Sequence, residues 1–302
     1  MKVAIISNVV EDEIIDLDGK ITISVGGPPF YCGLIARRYG IDVSLITKFG
    51  KDLDIQYINL LKKNKIYFDS TIPADLPTTR FVLKNTGLTR ELSLKSKCGQ
   101  VTLEDVKGVD SDSLIISPVL DEIPLHVFEF LLKNKTCNFL MFDPQGYTRF
   151  IEHDRHVTIR KELDLCMMNV DGIKTDTDEL YCITGGLTGI EGMRKLNSHY
   201  KIRYVILTTE KYVHLIDNNK HYWLNMPTIE TRDSTGVGDI LSAVFTSVLL
   251  KERDVIWAFC FAVGAVICAL NTKQTGIEKI PSKSNIEHMA GYIYNLLKFE
   301  TL

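Results

Sequence analysis

The sequence predicts an α/β fold in which a doubly wound, mostly parallel sheet carries helices on both of its faces. Short apolar runs rich in β-branched residues are continuous rather than alternating, which is typical of strands covered on both faces. Amphipathic segments lie between these runs, and alternation of strand with helix indicates a parallel sheet. The apolar runs are Val3–Asn8, Val43–Thr47, Leu114–Ser117, Phe139–Phe142, Leu165–Asn169 and Tyr204–Thr208. The amphipathic segments include Asp52–Lys63, Pro124–Lys133 and Ile190–Tyr200.

Two regions depart from this pattern and predict a small second sheet. Residues 11–25 and 78–97 contain short alternating strands, and Asn85-Thr86-Gly87 supplies a turn within the second region. We expect these strands to form a small antiparallel sheet set apart from the main one. Such a sheet can act as a lid over a binding site, or it can be an ordinary edge hairpin.

The last third of the chain is predicted to be largely helical. A hairpin of Val213–Ile216 and Tyr222–Leu224 comes first. Three helices follow, over Asp239–Leu250, Val255–Leu270 and Ser284–Lys298. The apolar second helix is shorter than the roughly 20 residues of a membrane span, which favours a buried core helix. With no internal repeat and no long linker, residues 1–302 are predicted to form one domain.

Composition excludes some classes of partner. The net charge of −3 offers no basic field for nucleic acid or anionic lipid, so we expect neither partner. The seven cysteines are odd in number and lack a C-x-x-C spacing, which indicates reduced thiols. The N-terminus carries no signal-peptide pattern, and we therefore expect a cytoplasmic protein.

The segment Asp233-Ser234-Thr235-Gly236-Val237-Gly238-Asp239 carries the strongest chemical signal. Its glycines allow a tight turn at the start of an apolar helix. Free amides and the helix dipole at such an N-terminus attract an anion, and a phosphoryl group in transfer needs donors of this kind. A carboxylate at Asp239 can take a proton from an attacking hydroxyl. Alternatively, Asp239 merely caps the helix.

Other glycine and catalytic motifs fit poorly. Gly236-Val237-Gly238 lacks the third glycine of a dinucleotide fingerprint, since Leu241 stands there. The sequence has no G-x-x-x-x-G-K-[ST], no H-E-x-x-H and no G-x-S-x-G. A P-loop enzyme, a zinc protease and an α/β-hydrolase are therefore disfavoured.

The segment 233–239 resembles the D-T-T-G-A-G-D signature of the ribokinase-like (PfkB) carbohydrate kinases. The resemblance continues along the whole chain in order. Asp12 matches the sugar-binding aspartate after the first strand, and the segment from Gly26 and Gly27 to Tyr31 resembles the family's G-G-x-x-x-N. Tyr31 replaces the asparagine that usually hydrogen-bonds the sugar. The resemblance therefore implies a sugar site at these four residues, with a changed contact at Tyr31.

Later segments resemble the family's remaining motifs. Asp143 lies in a segment similar to D-x-N-x-R, and Asp176-Thr177-Asp178-Glu179 is similar to N-x-x-E, which organises magnesium and phosphate. Thr208 lies on the strand that resembles the family's nucleotide strand, although Glu210 replaces a glycine. Ala265 and Gly276 fall where the family lines its adenine pocket.

The resemblance implies a Rossmann-like core with a β lid, and a reaction that uses ATP and Mg²⁺. Asp239 would be the base, and the amides of Gly236, Val237 and Gly238 would stabilise the transferring phosphate. Glu179 would hold Mg²⁺ through water. Asp233 would bind a monovalent cation or the ATP loop. The lid would exclude water, a competing nucleophile, and would also supply the surface of a homodimer if the chain is not a monomer.

The acceptor is predicted to be a small sugar or polyol. Segments around Gly26, Arg90 and Asp143 look most like the myo-inositol kinase branch, which favours myo-inositol. Arg90, in the lid, would contact the substrate or simply pair with a surface glutamate. Three alternatives stay open: a nucleoside kinase of the same family, a relative that phosphorylates an already phosphorylated pyrimidine precursor, and a binding protein without turnover.

Overall fold

The computed structural model describes residues 1–15, 18–68, 75–85, 90–231 and 233–302. The strands are β1 (Lys2–Ile6), β2 (Val10–Ile15), β3 (Ile21–Gly26), β4 (Asp42–Ile46), β5 (Ile66–Phe68), β6 (Thr79–Asn85), β7 (Arg90–Ser96), β8 (Ser113–Ile116), β9 (Phe139–Phe142), β10 (Arg149–Ile151), β11 (Val157–Ile159), β12 (Gly172–Asp176), β13 (Tyr204–Thr208), β14 (Tyr212–Asp217), β15 (Lys220–Asn225) and β16 (Lys298–Thr301). The helices are α1 (Pro28–Arg38), α2 (Ile55–Lys63), α3 (Leu103–Val106), α4 (Leu125–Lys133), α5 (Gln145–Thr148), α6 (Thr177–Thr184), α7 (Gly189–His199), α8 (Val237–Glu252), α9 (Val255–Leu270) and α10 (Lys283–Tyr294), with a 3₁₀ turn at Gly276–Lys279.

Ten strands form the main sheet in the order β16-β15-β14-β13-β12-β9-β8-β1-β4-β5. The seven strands from β13 to β5 are parallel, and β14, β15 and β16 extend one edge in antiparallel pairs. This arrangement confirms the predicted α/β class with a mostly parallel sheet. It also confirms the predicted hairpin, which is β14 and β15.

Both faces of the main sheet are covered, as the continuous apolar runs predict. Along β1, Val3 and Ile5 pack into one buried cluster, whereas Ala4 and Ile6 pack into the other. The first cluster includes the helices α1, α8 and α9, and the second includes α4, α6 and α7. Strict alternation between the two clusters follows from the two-residue period of a strand.

One predicted strand is wrong. Leu165–Asn169 forms no strand, and the place between β9 and β13 belongs to β12, whose Gly172 pairs with Met141 and Tyr204. Leu165 and Met167 still pack into a buried cluster, which explains their apolar character. The prediction failed because β12 contains a buried lysine, Lys174, and so does not present a continuous apolar run.

The predicted second sheet exists, and its four strands run in the order β3-β2-β6-β7. We call it the lid sheet. It is mixed rather than antiparallel, because β2 and β6 pair in parallel while the other two pairs are antiparallel. An isolated bridge from Ser93 to His156 and a hydrogen bond from the N–H of Leu94 to the backbone oxygen of Arg155 connect β7 to the β10–β11 hairpin. Of the predicted turn, Thr86 and Gly87 lie outside the described residues.

The apolar segment Val255–Leu270 is helix α9, with the bounds that the sequence predicted. Ten of its residues are buried in the core. Among the described residues, no helix combines the length and the apolar character needed to cross a membrane.

Candidate active site

Polar side chains gather where the central parallel strands end. Asp143 directly follows β9, Asp176 ends β12, and Thr208 ends β13. Asp176 and Thr208 are paired in register, and Thr208 Oγ1 donates to the backbone oxygen of Thr175 at 3.3 Å. The carboxyl ends of parallel strands are where open α/β sheets bind their ligands. The structure therefore brings these three predicted residues to the edge where a site is expected.

Lys174 is the centre of a buried charge cluster at this edge. Its Nζ lies 3.1 Å from Asp143 Oδ2 and 3.6 Å from Glu179 Oε2, and all three side chains are buried. Burial alone would lower the pKa of Lys174, but the charges of Asp143 and Glu179 raise it above its usual value. The lysine is therefore held as an ammonium ion between two carboxyl groups.

Glu179 is fixed by the start of α6. Its carboxylate accepts the backbone N–H of Asp176 at 2.8 Å, while the carboxylate of Asp176 accepts the N–H of Glu179 at 2.8 Å. This reciprocal pair is a capping box, which holds both side chains rigidly. Burial raises the pKa of Glu179, and the charge of Lys174 opposes part of that effect.

The carboxylates fit a magnesium ion held mainly by its substrate. Within the described part of the chain, no group of three or more His, Cys, Asp or Glu side chains forms a metal cage. Mg²⁺ usually keeps several waters and binds through one or two carboxylates plus substrate phosphates. Glu179, already engaged by the capping box, would reach such an ion through water, and this role stays a prediction of the family resemblance.

Helix α8 begins at the predicted glycine turn. Gly236 is its N-cap, with φ 71° and ψ 6°, and Val237 and Gly238 are its first two residues. Asp239 occupies the third helical position, so it is not the N-cap residue that the alternative interpretation required. The first amides of a long helix, free of any side-chain cap at Gly236, suit an anion.

Asp239 lies buried beside the charge cluster. Burial and the charge of Asp143 raise the pKa of Asp239 from 3.8 to about 7, while Lys174 and Arg149 act in the opposite direction. Asp12, from the lid sheet, also raises it. A carboxyl group poised near neutrality is suited to accept a proton during a reaction.

The ammonium of Lys174 also lies against the first turn of α8. A methyl group on Gly238 would be 3.0 Å from Lys174 Nζ. The same ammonium therefore connects Asp143, Glu179 and the anion-binding turn. Positive charge and free amides at one place are the requirements for binding a phosphoryl group.

Arg149 connects the site to the lid sheet. Its Nη1 donates to the backbone oxygen of Val119 at 2.7 Å, and its Nη2 donates to Gln145 Oε1 at 2.9 Å. The guanidinium lies 5.5 Å from the ring centre of Phe81 on β6. Burial lowers the pKa of Arg149, and the charges of Glu179 and Asp12 oppose that effect. Arg149 is thus a partly buried cation that faces the carboxylates.

The lid sheet places Asp12 next to the first glycine of the 26–27 pair. A methyl group on Gly26 would lie 2.9 Å from Asp12 Oδ2 and 3.3 Å from Tyr31 Cε2, so any larger residue would displace the Asp12 carboxylate. Gly27, with φ 75°, is the N-cap of α1. Asp12 is itself buried. The glycine pair therefore allows Asp12 and α1 to approach closely.

Tyr31 is a buried residue of α1, with 1% of its surface exposed. A methyl group on Gly236 would lie 2.2 Å from Tyr31 Cδ2, which means that the ring is in close contact with the turn. Its burial favours a space-filling role for the ring, and the changed sugar contact that the resemblance implies at Tyr31 stays a prediction.

Asp233 and Gly276 are joined by a buried lysine that the sequence did not identify. The backbone N–H of Gly276 donates to Asp233 Oδ2 at 2.7 Å, and Lys279 Nζ lies 3.0 Å from the same oxygen. The place beside Asp233 where the sequence suggested a monovalent cation therefore holds the ammonium of Lys279. Gly276 also lies against β3, since a methyl group on it would be 2.0 Å from Ser24 Oγ.

For two predicted site residues, Ala265 and Arg90, no contact of the described residues shows a position at the site. Ala265 lies inside α9 as a fully buried core residue. The side chain of Arg90, at the start of β7, lies outside the described residues. Their nucleotide and substrate roles stay predictions.

Sequence reasoning did not identify Lys174, Arg149 and Lys279 as site residues. Lys174 offered a signal, because a lysine among Gly172, Ile173 and Thr175 interrupts a run that is otherwise buried. Arg149 ends a segment that was noted for its resemblance but was given no role. Lys279 offered no local signal, since its partner Asp233 is 46 residues away.

Comparison with known proteins shows that the chain is similar to carbohydrate kinases. The profile of the pfkB family carbohydrate kinases matches residues 2–283. A search of curated proteins finds no significant match. The chain is similar to a solved pyrophosphate-dependent myo-inositol-1 kinase that was converted into a myo-inositol-3 kinase by mutation, with a TM-score of 0.80, 21% identity, and coverage of 97% of this chain and 99% of that one.

Two further solved structures show the same fold. Ribokinase from Thermotoga maritima has a TM-score of 0.75 and 17% identity, over 96% of this chain and 99% of that chain. A fructokinase double mutant from Vibrio cholerae O395, in its fructose, ADP and potassium ion bound form, has a TM-score of 0.74 and 16% identity. It is matched over 96% of this chain and 98% of its own. At these identities the likeness establishes the fold.

Proposed function

Because this chain belongs to the pfkB family of carbohydrate kinases, we propose that it transfers the γ-phosphate of ATP to a hydroxyl of a small sugar or polyol, with Asp239 as the general base. The position of Asp239 carries the proposal. It is a buried carboxyl group with a pKa of about 7, on the first turn of a helix whose amides suit a phosphate.

The proposed chemistry assigns one task to each group. Asp239 takes the proton of the attacking hydroxyl as its oxygen bonds to the γ-phosphorus, while the bond from that phosphorus to the bridging oxygen breaks and ADP leaves. The amides of Gly236, Val237 and Gly238 bind the phosphoryl oxygens, and the ammonium of Lys174 neutralises part of their charge. Mg²⁺ would neutralise further phosphate charge when bound, held through water near Glu179.

The acceptor would lie between Asp239 and the lid sheet. Asp12 acts electrostatically on Asp239 from the lid side, and Arg149 does so from beside Phe81. A carboxylate and a guanidinium are suited to hydrogen-bond several hydroxyl groups. We favour myo-inositol as the acceptor, since a neighbour in fold is described as a complex with a pyrophosphate analog and myo-inositol.

Two phosphoryl donors, ATP and pyrophosphate, are candidates for this chain. The structural neighbours include pyrophosphate-dependent kinases, and pyrophosphate needs no adenine pocket. Glu210 in place of the family's glycine, and Ala265 in the packed core, are the observations that favour pyrophosphate as the second candidate donor. ATP stays the first candidate because the family resemblance covers the nucleotide strand.

A homodimer formed through the lid sheet and a cytoplasmic location are retained as predictions. Ile21 and Ile23 on β3 are exposed apolar side chains, which an interface of that kind would cover. Sedimentation of the purified chain would test the dimer.

The test combines both donors with a panel of acceptors. ATP and pyrophosphate are each offered with myo-inositol, ribose, fructose and a nucleoside, and products are identified by mass. We expect a phosphate monoester of a polyol from the wild type, and about 10²–10⁴-fold slower turnover from Asp239→Asn. Asp110→Asn, at an exposed aspartate in the loop before β8, is the matched control. Binding of donor and polyol without turnover would overturn the proposal.

A further inference from the structure

Lys279 is a lysine buried inside the protein next to the anion-binding turn. Only 2% of its surface is exposed, and its ammonium lies 3.0 Å from Asp233 Oδ2. The same ammonium donates to the backbone oxygen of Asp233 at 3.0 Å. A buried charge is tolerated only when paired and hydrogen-bonded, and here one residue supplies both a carboxylate and a carbonyl oxygen.

The carboxylate of Asp233 connects two segments, the turn before α8 and the 3₁₀ turn at Gly276–Lys279. Its Oδ1 accepts the N–H of Thr235 at 2.8 Å, which shapes the turn leading into α8. Its Oδ2 accepts the N–H of Gly276 at 2.7 Å and faces Lys279. Burial alone would raise the pKa of Asp233, but Lys279 and these hydrogen bonds lower it, so the group is an anion that needs a cation beside it.

The third neighbour of the ammonium is an aromatic ring. Lys279 Nζ lies 5.7 Å from the ring centre of Tyr31, within the range of a cation–π contact. The same ring also contacts Gly236, which is the N-cap residue of α8. A carboxylate oxygen, a carbonyl oxygen and a ring face thus surround the ammonium and link it to the turn.

We propose that Lys279 is a tethered cation that positions the turn at residues 233–236, and that phosphate transfer by this chain therefore needs no added monovalent cation. The inference rests on the proposed function for its kinetic part. Lys279 is a positioning residue: it touches Asp233 and Tyr31, and through them it fixes the amides at the start of α8. A free potassium or ammonium ion would otherwise be the natural occupant of such an oxygen-lined place.

The experiment compares the wild type with two variants in chloride salts of choline, potassium and ammonium at equal ionic strength. Lys279→Ala removes the ammonium and opens space for an ion, whereas Lys279→Met removes the charge and keeps the space filled. We expect wild-type turnover to be the same in the three salts. In choline, both variants should lose about 10- to 100-fold in kcat, less than the about 10²–10³ that loss of an oxyanion donor costs.

The decisive result is whether potassium or ammonium restores the kcat of one Lys279 variant and not of the other. Potassium or ammonium should restore much of the kcat of Lys279→Ala and little of that of Lys279→Met. A lysine that only packs against its neighbours would give no difference between salts. Lys283→Ala, which removes a half-exposed lysine on α10, is the control and should behave as the wild type does.

A second measurement tests the inference even if the chain transfers no phosphate. In choline, Lys279→Ala should melt about 5–10 °C below the wild type, and potassium should recover part of that Tm. Strong activation of the wild type by potassium, or equal Tm values of Lys279→Ala in choline and potassium, would overturn the inference. Should Lys279→Ala fail to fold in choline but fold in potassium, the inference is supported.

Discussion

The ring of Tyr31 packs so closely against Gly236 that a methyl group on this glycine would lie 2.2 Å from Tyr31 Cδ2. The backbone of Gly236 also has φ 71°, a conformation that residues with a side chain rarely adopt. Both features occur at the N-cap of α8, three residues before Asp239. The position of the proposed base therefore depends on the absence of a side chain at Gly236.

Gly236→Ala should damage both stability and catalysis. The left-handed backbone alone costs about 1–2 kcal/mol for a residue with a side chain. The contact with Tyr31 adds an overpacking cost of about 1–3 kcal/mol and displaces the amides that the phosphate needs. Chemical denaturation and kcat measure the two effects.

Gly108→Ala is the matched control for this prediction. Gly108 has φ 73°, and a methyl group there would meet nothing within 4 Å. It should therefore show the backbone cost without the clash and keep its kcat. Equal losses of stability in both variants would contradict the proposed contact.

The kinase reaction should lose rate as the pH falls through neutrality. Asp239 must be ionised to act as a base, and burial raises its pKa to about 7. Below that value, kcat/KM should fall about tenfold per pH unit, as expected for a single essential base. A pH–rate profile under conditions where the enzyme stays folded measures this. A flat profile well below neutrality would exclude Asp239 as the base.

Asp239→Asn should stabilise the protein while it abolishes most activity. The pKa of Asp239 is about 7 in the folded chain, against 3.8 for an unperturbed aspartate, so between these values the folded state binds more protons than the unfolded state. Wild-type stability therefore falls as pH rises from 4 to 7, and Asp239→Asn escapes that loss. Thermal melts should show a Tm advantage for the variant that grows over this interval. A Tm advantage independent of pH would show that another mechanism operates.

Lys174→Met should destabilise the protein more at high pH than at low pH. The substitution leaves Asp143 and Glu179 buried without their cation, which typically costs about 3–5 kcal/mol. Because burial already raises the pKa of Glu179, losing the opposing charge raises it further. Protonation then relieves the cost at low pH, and the stability deficit grows as pH rises.

The control for this prediction is Lys107→Met, which breaks the exposed pair with Glu104. Exposed pairs contribute about 0–1 kcal/mol, so its effect should be small at every pH. Denaturant melts at several pH values compare the two variants. A deficit for Lys174→Met that is as small as the control would show that the buried cluster is open to water.

Local sequence pattern was sufficient for most of the fold. The predicted bounds of β9, β13 and α9 agree with the structure, because apolar periodicity reports directly which faces are buried. The pattern misled where charge is buried, since β12 contains Lys174 and the apolar run at 165–169 was preferred instead. It also misled at the end of the chain, where the helix predicted to reach Lys298 ends at Tyr294 and Lys298 begins β16. The parallel pairing of β2 with β6 was also missed, since no local signal records which strands meet.

The glycine turn and the carboxylate at Asp239 were evident in the sequence, because a tight turn before an apolar helix needs only neighbouring residues. Tertiary structure alone decided their surroundings. Lys279 reaches Asp233 across 46 residues, and Lys174 reaches Asp143 across 31. Such pairs form because burial makes an isolated charge costly, and the partner is chosen by the fold rather than by spacing along the chain.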